Sequence, residues 1–144
     1  MYNFPNICTY IKSNNGNIVH MRFFSNTAEI NYIVDFNEVK KLKNNKEAVL
    51  IDVRKPEELA EHGSIPGSIN IPLDDIEKSL KDLSEKDFLK KYGIPKPTPD
   101  SPIIFSCMKG NRSTKAHTLA QTLGYKNAKN YTGGWTDWAE KNKK

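Results

Sequence analysis

"IIFSCMKGNRSTKAHTLAQTLGY", residues 103–125, runs an apolar stretch into a cysteine, then into a short basic loop holding one glycine, then into a helical segment. Ile103 to Ser106 reads as a strand, and a helix is expected over Thr114 to Leu123, stopped by Gly124. Strand, loop and helix in that order place Cys107 at the carboxyl end of a strand. In parallel sheets that is where chemistry collects.

The same alternation continues on both sides. Upstream, "EAVLIDVR" (47–54) is β-branched and nearly continuous in apolarity, as a strand buried on both faces requires. "KPEELAEHG" (55–63) puts Pro56 in the first turn of a helix and Gly63 at its end, and "SIPGSINIP" supplies a turn and a strand over Ser68 to Ile71. Two helical pieces follow, "DDIEKSLKDL" with Asp74 and Asp75 as caps, and "SEKDFLKKYG" opened by Ser84 with Asp87 three residues on. The four prolines of "IPKPTPDSP" (94–102) exclude helix and central strand, so this is a rigid surface loop inside one domain. Nearer the N-terminus, Tyr32-Ile33-Val34 is a short apolar run, and "DFNEVKKLKNN" sets Phe36, Val39 and Leu42 near one helix face behind Asp35 as N-cap. Downstream, a strand is expected near Lys129 to Tyr131 and a closing turn and helix in "GGWTDWAEK". Strands alternating with helices make an α/β protein: a mostly parallel sheet with helices on both faces and right-handed crossovers.

A chain of 144 residues can bury a core without staples, and 37% hydrophobic with 27% charged residues reads as one globular domain. No apolar run approaches the length of a bilayer span. The net charge of +5 is spread, lysines being interleaved with acids, which speaks for a solvated surface and against a nucleic-acid footprint. Only Cys8 and Cys107 are present, with His20, His62 and His117 scattered, so neither a disulfide framework nor a structural metal site is expected. Residues 1–28 carry no acid before Glu29, and "RFFS" at Arg22 to Ser25 resembles a matrix-protease site. That segment reads as a mitochondrial transit peptide or as a flexible or strand-like cytoplasmic tail, ahead of a domain over 32–144.

Why the thiol stands at residue 107 follows from its neighbours. Loop N–H groups and a helix N-terminus favour the thiolate, and Lys109 and Arg112 add positive charge. Gly110 lets the backbone turn tightly enough to aim several amides at one point, where they can hold an anion one atom beyond the sulfur. A loop needs more room to encircle a tetrahedral oxyanion than a terminal sulfur. Phosphatases of the Cys-x5-Arg type have five residues between Cys and Arg, whereas "CMKGNR" has four.

The loop resembles that of the rhodanese family, whose cysteine carries a persulfide. The resemblance spans about Tyr32 to Lys141: "LIDVRKPEELAEHGSIPGSINIP" is similar to the family's first signature, "GGWTDW" to its closing one, and the Tyr-Gly-x-Pro-Lys-Pro insertion to the single-domain thiosulfate sulfurtransferases. Ser64 stands where the family usually has His. The resemblance implies a three-layer fold around a five-stranded sheet and a two-step, cofactor-free transfer. Cys107 would take sulfane sulfur from thiosulfate or a persulfide donor and pass it to glutathione, thioredoxin or cyanide. Met108, Lys109, Gly110, Asn111, Arg112 and Ser113 would form the persulfide-stabilising, substrate-binding loop, with Arg112 gripping donor oxygens bidentately.

Each residue also has a plainer reading. A lone cysteine is commonly a small buried hydrophobe, and Lys109 and Arg112 can be solvated charges. Asp52 and Arg54 read as a structural clamp of the site, and Trp135 and Trp138 as packing, Trp135 with a place in the site wall. His117 reads as a half-exposed helical histidine. A non-catalytic docking module on the same fold is the alternative to an enzyme, disfavoured because such a module needs no thiol.

Overall fold

A computed structural model describes the backbone of residues 9–12 and 18–21, and residues 32–42 and 48–143 with their side chains. Cys8, the Arg22 to Ser25 stretch and residues 43–47 lie outside the described residues. The chain divides into two compact units, Met1–Tyr32 and Ile33–Lys144. In the first, β1 (Thr9–Lys12) and β2 (Ile18–Met21) pair antiparallel.

The second unit begins with β3 (Ile33–Val34) and α1 (Phe36–Lys41), then β4 (Val49–Asp52), α2 (Pro56–His62) and β5 (Ile69–Asn70). A 3-10 turn (Leu73–Asp75) and a π-helical segment (Lys78–Asp82) lead to α3 (Glu85–Tyr92), followed by β6 (Ile103–Ser106), α4 (Asn111–Thr122), β7 (Ala128–Tyr131) and α5 (Gly134–Lys141). Five strands form one sheet in the order β3-β7-β6-β4-β5, every pairing parallel. Strand β6 lies at the centre, buried along its whole length. Its register against β4 pairs Val49 with Ile103 and Asp52 with Ser106.

Alternation along the central strands separates two cores. Ile51, Ile103 and Phe105 point to one face, packing with Ala116 and Ala120 of α4, Phe88 of α3 and the Ile76–Leu80 stretch. Leu50 and Ile104 point to the other, joining Val39 of α1 and Trp138 of α5. Two helical layers therefore sandwich the sheet, the three-layer α/β arrangement expected.

Local chemistry explains most element ends. Asp35 caps α1 in a reciprocal box, its carboxylate accepting the Glu38 N–H at 2.9 Å while Glu38 accepts the Asp35 N–H at 2.9 Å. Ser84 Oγ accepts the Asp87 N–H at 3.1 Å. Asp74 and Asp75 do not cap a helix; they lie within the 3-10 turn, which starts behind Pro72 with no side-chain cap.

Candidate active site

Cys107 follows β6 directly and is 1% exposed, on the face shared with Phe105. The chain then turns through Met108 (half-buried), Lys109 (exposed) and buried Gly110 before α4 begins at Asn111 (exposed), three residues earlier than the sequence suggested. Gly110 has φ 98°, and a Cβ there would run into the Thr132 carbonyl, so glycine is required on both counts. Its N–H donates to Cys107 Sγ at 3.0 Å. Ser113, buried in the first turn of α4, places its hydroxyl 3.4 Å from the same sulfur and donates to the Gly110 carbonyl at 3.1 Å.

These groups set the thiol's acidity. Burial is the largest influence and raises the Cys107 pKa; hydrogen bonding with the Ser113 hydroxyl and with the amides of Ser113, Gly110 and Lys109 lowers it. The hydrogen bonds prevail together, and the pKa falls below its ordinary value. Loop amides, led by that of Gly110, thus gather round one sulfur with the Ser113 hydroxyl beside it, an arrangement fit to stabilise an anion on the sulfur or one atom beyond.

The loop is pinned from two sides. Thr114 Oγ1 donates to the Gly110 carbonyl at 2.7 Å and accepts from Asn130 Nδ2 at 2.8 Å, tying the loop to β7. From α5, the Trp135 N–H donates to the Cys107 carbonyl at 2.8 Å and the Thr136 N–H to that of Met108 at 3.1 Å. Gly134, at φ 62°, allows that approach, since a Cβ would overlap the Cys107 carbonyl oxygen. The role of the "GGWTDW" stretch in holding this loop is carried by backbone, which composition alone does not reveal.

Asp52 and Arg54 form a buried clamp at the end of β4, 1% and 0% exposed. Arg54 Nη2 donates to Asp52 Oδ2 at 2.7 Å and to the Gly63 carbonyl at 2.9 Å, and Arg54 Nε reaches Asp52 Oδ1 at 3.0 Å. Asn70 Nδ2 adds bonds to the carbonyls of Asp52 and Arg54 at 3.0 and 2.8 Å. Trp135, half-buried, lies with its ring centroid 5.3 Å from the Arg54 guanidinium carbon.

One reading of the sequence needs correction, that of His117 as a half-exposed helical histidine, and Arg112 has a partner that the sequence did not reveal. The Arg112 guanidinium, expected to grip donor oxygens, is held by a residue the sequence did not single out: Nη1 donates to Glu58 Oε2 at 2.6 Å and Nη2 to Oε1 at 2.9 Å. This bond, outweighing partial burial, holds the Glu58 carboxyl down at about 2. His117 is buried, 9% exposed, and burial lowers its pKa despite a backbone hydrogen bond with Ala128 that raises it. The helix packs that face against the sheet. Among the described residues no group of His, Cys, Asp and Glu is arranged to hold a metal ion, and no helix is long and apolar enough to cross a membrane. A cleft of about 590 Å³ lined by Pro66, Ile69, Ile94 and Pro97 includes no residue of the 107–113 loop.

The chain and its architecture have counterparts among known proteins. A family model described as the rhodanese-like domain matches residues 35–141. The human thiosulfate:glutathione sulfurtransferase is 38% identical over 109 residues, covering 75% of this chain and 93% of its own. The Saccharomyces cerevisiae protein named thiosulfate sulfurtransferase RDL2, mitochondrial, is 38% identical over 111 residues, covering 76% of this chain and 73% of its own. A solved human single-domain sulfurtransferase superimposes with a TM-score of 0.72 at 36% identity, covering 78% of this chain and 98% of that one.

Proposed function

This chain belongs to the rhodanese-like family, and from that premise we propose that it is a sulfurtransferase working through a persulfide on Cys107. The observation carrying the reading is the convergence of the Lys109, Gly110 and Ser113 amides and the Ser113 hydroxyl on a single buried sulfur. Cys107 thiolate attacks the outer sulfur of thiosulfate, the S–S bond of the donor breaks, and sulfite leaves with the bonding pair. The loop amides then face the terminal sulfur of the persulfide. An acceptor thiolate attacks that terminal sulfur, the Cys107 thiolate departs, and the acceptor leaves as its own persulfide.

Relatives named for thiosulfate and glutathione support that donor and that acceptor. Cyanide and thioredoxin meet the same chemical requirement, a nucleophile able to reach the outer sulfur. Asp52 and Arg54 support the site as a clamp on which Trp135 packs, the Trp135 N–H holds the Cys107 carbonyl, and exposed Lys109 attracts the anionic donor. The acid-free leader, together with the mitochondrial relative, supports a mitochondrial address, with the domain running over 32–144. A fluorescent fusion of residues 1–30 would show that address directly.

Intact-protein mass after exposure to thiosulfate, then to glutathione, tests the chemistry. Wild type should gain one sulfur atom and lose it to glutathione, while Cys107→Ser gains none. A wild-type protein left unmodified by both thiosulfate and a persulfide donor would return the fold to a docking role.

A further inference from the structure

Helix α2 contributes no buried side chain to either core. Its firmest tie to the site is Glu58, whose carboxylate accepts both Nη groups of Arg112 and also the Lys55 N–H at 2.9 Å. One side chain therefore caps α2 and occupies the donor edge of the loop's arginine. Both partners remain within reach of solvent, at 33% and 27% exposure for Arg112 and Glu58. The guanidinium is close enough to feel the Cys107 charge, and Glu58 feels Arg54 as well as Arg112. Two opposite-charge pairs thus lie within electrostatic reach of one another, Arg112 with Glu58 and Arg54 with Asp52, and the Arg112 guanidinium also feels the sulfur.

The pairing of Arg112 with Glu58 bears on the oxyanion the reaction releases. A free guanidinium beside the sulfur offers sulfite two parallel N–H bonds, the geometry arginine provides for planar or tetrahedral oxyanions. Tight binding of donor and product alike lowers KM without helping turnover, and holding the product obstructs the second half-reaction. Glu58 competes for the same two N–H groups. Attraction of the donor is left to Lys109, a compact cation with no ion pair among the described residues.

We propose that Glu58 is a positioning and specificity-determining residue, which withholds the Arg112 fork from anionic donors and products and so limits how strongly the site prefers oxyanions. The inference rests on Cys107 being the reacting thiol, but its test does not require sulfur transfer. Alkylation by iodoacetate, an anion, and by iodoacetamide, its neutral counterpart, reads the local field at the sulfur. In Glu58→Gln the ratio of the two rate constants, iodoacetate over iodoacetamide, should rise about three- to tenfold, the size expected of one screened charge released near the reacting anion. Adding Arg112→Gln should cancel that rise. With thiosulfate, KM and kcat of Glu58→Gln should both fall.

An unchanged ratio in a folded Glu58→Gln protein overturns the proposal and leaves Glu58 as a tie between α2 and the loop. Should that variant fail to fold, Glu58→Asp preserves the charge at the start of α2 but shortens the reach to Arg112; a smaller rise is expected, and an unchanged ratio overturns the proposal equally. A wild-type thiol that alkylates readily yet takes no sulfur from any donor sinks the proposed function while leaving this test readable.

Discussion

Two arginine–carboxylate pairs flank the same loop, with the same bidentate chemistry and opposite surroundings. Asp52 and Arg54 sit two residues apart at the end of β4, 1% and 0% exposed, and are further bonded to Gly63, with Asn70 on the adjoining carbonyls. Glu58 and Arg112 come from elements 54 residues apart and are each about a third exposed. Burial decides what each can do. A pair with no water to fall back on fixes geometry, whereas one at the surface exchanges partners at small cost and responds to pH, salt and anions.

The largest consequence concerns the buried pair. Arg54→Met leaves the Asp52 carboxylate buried and unpaired and should cost about 3–5 kcal/mol, the range for breaking a buried pair from one side. Urea unfolding would measure it. Replacing both partners, Asp52→Leu with Arg54→Met, should recover much of that loss. If Arg54→Met costs no more than a surface substitution, the clamp is ornamental and the contrast between the pairs collapses.

Gly63 sharpens the same point at smaller scale. Its carbonyl accepts from Arg54 Nη2, its φ is 92°, and a Cβ there would come 3.3 Å from the Trp135 ring. Gly63→Ala should therefore cost about 1–2 kcal/mol, from positive-φ strain alone, without touching a charge. The thermal midpoint should drop in step. Retained stability would mean that the Gly63, Arg54 and Trp135 stack tolerates rearrangement.

The two pairs also differ in how far they could be read from the chain. Asp52 and Arg54 are neighbours on one strand, so a clamp between them follows from local spacing. Glu57, Glu58 and Glu61 are equivalent candidates on a short helix, and only the packing of α2 against the loop selects Glu58 for Arg112. The alternation of strands and helices was legible because β4 and β6 are continuously apolar and the breaks between elements carry Pro and Gly. The start of α4 was less so: with Gly110 in the left-handed region before it, the helix takes in Asn111 to Ser113, the residues otherwise assigned to the loop. His117 misled for a related reason, since a polar residue on an amphipathic helix reads as exposed until the sheet behind it is known.

The smallest effect belongs to the exposed pair and has a sign set by acidity. In the folded protein Glu58 is held at about 2 against its ordinary 4.5, first by the Arg112 hydrogen bond and in spite of partial burial. A carboxylate depressed in this way contributes stability that is complete above its unfolded pKa and is lost as pH falls from about 4.5 toward 2. Because both side chains are about a third exposed, the contribution should not exceed about 1 kcal/mol. Other carboxylates titrate over the same interval, so the informative quantity is the difference in unfolding free energy between wild type and Glu58→Gln. That difference should be greatest near neutrality, narrow as pH falls through this window, and shrink in high salt. A difference that stays constant with pH and salt would show that Glu58 acts by its hydrogen bonds alone, and its pair with Arg112 would then resemble the buried clamp more closely than exposure suggests.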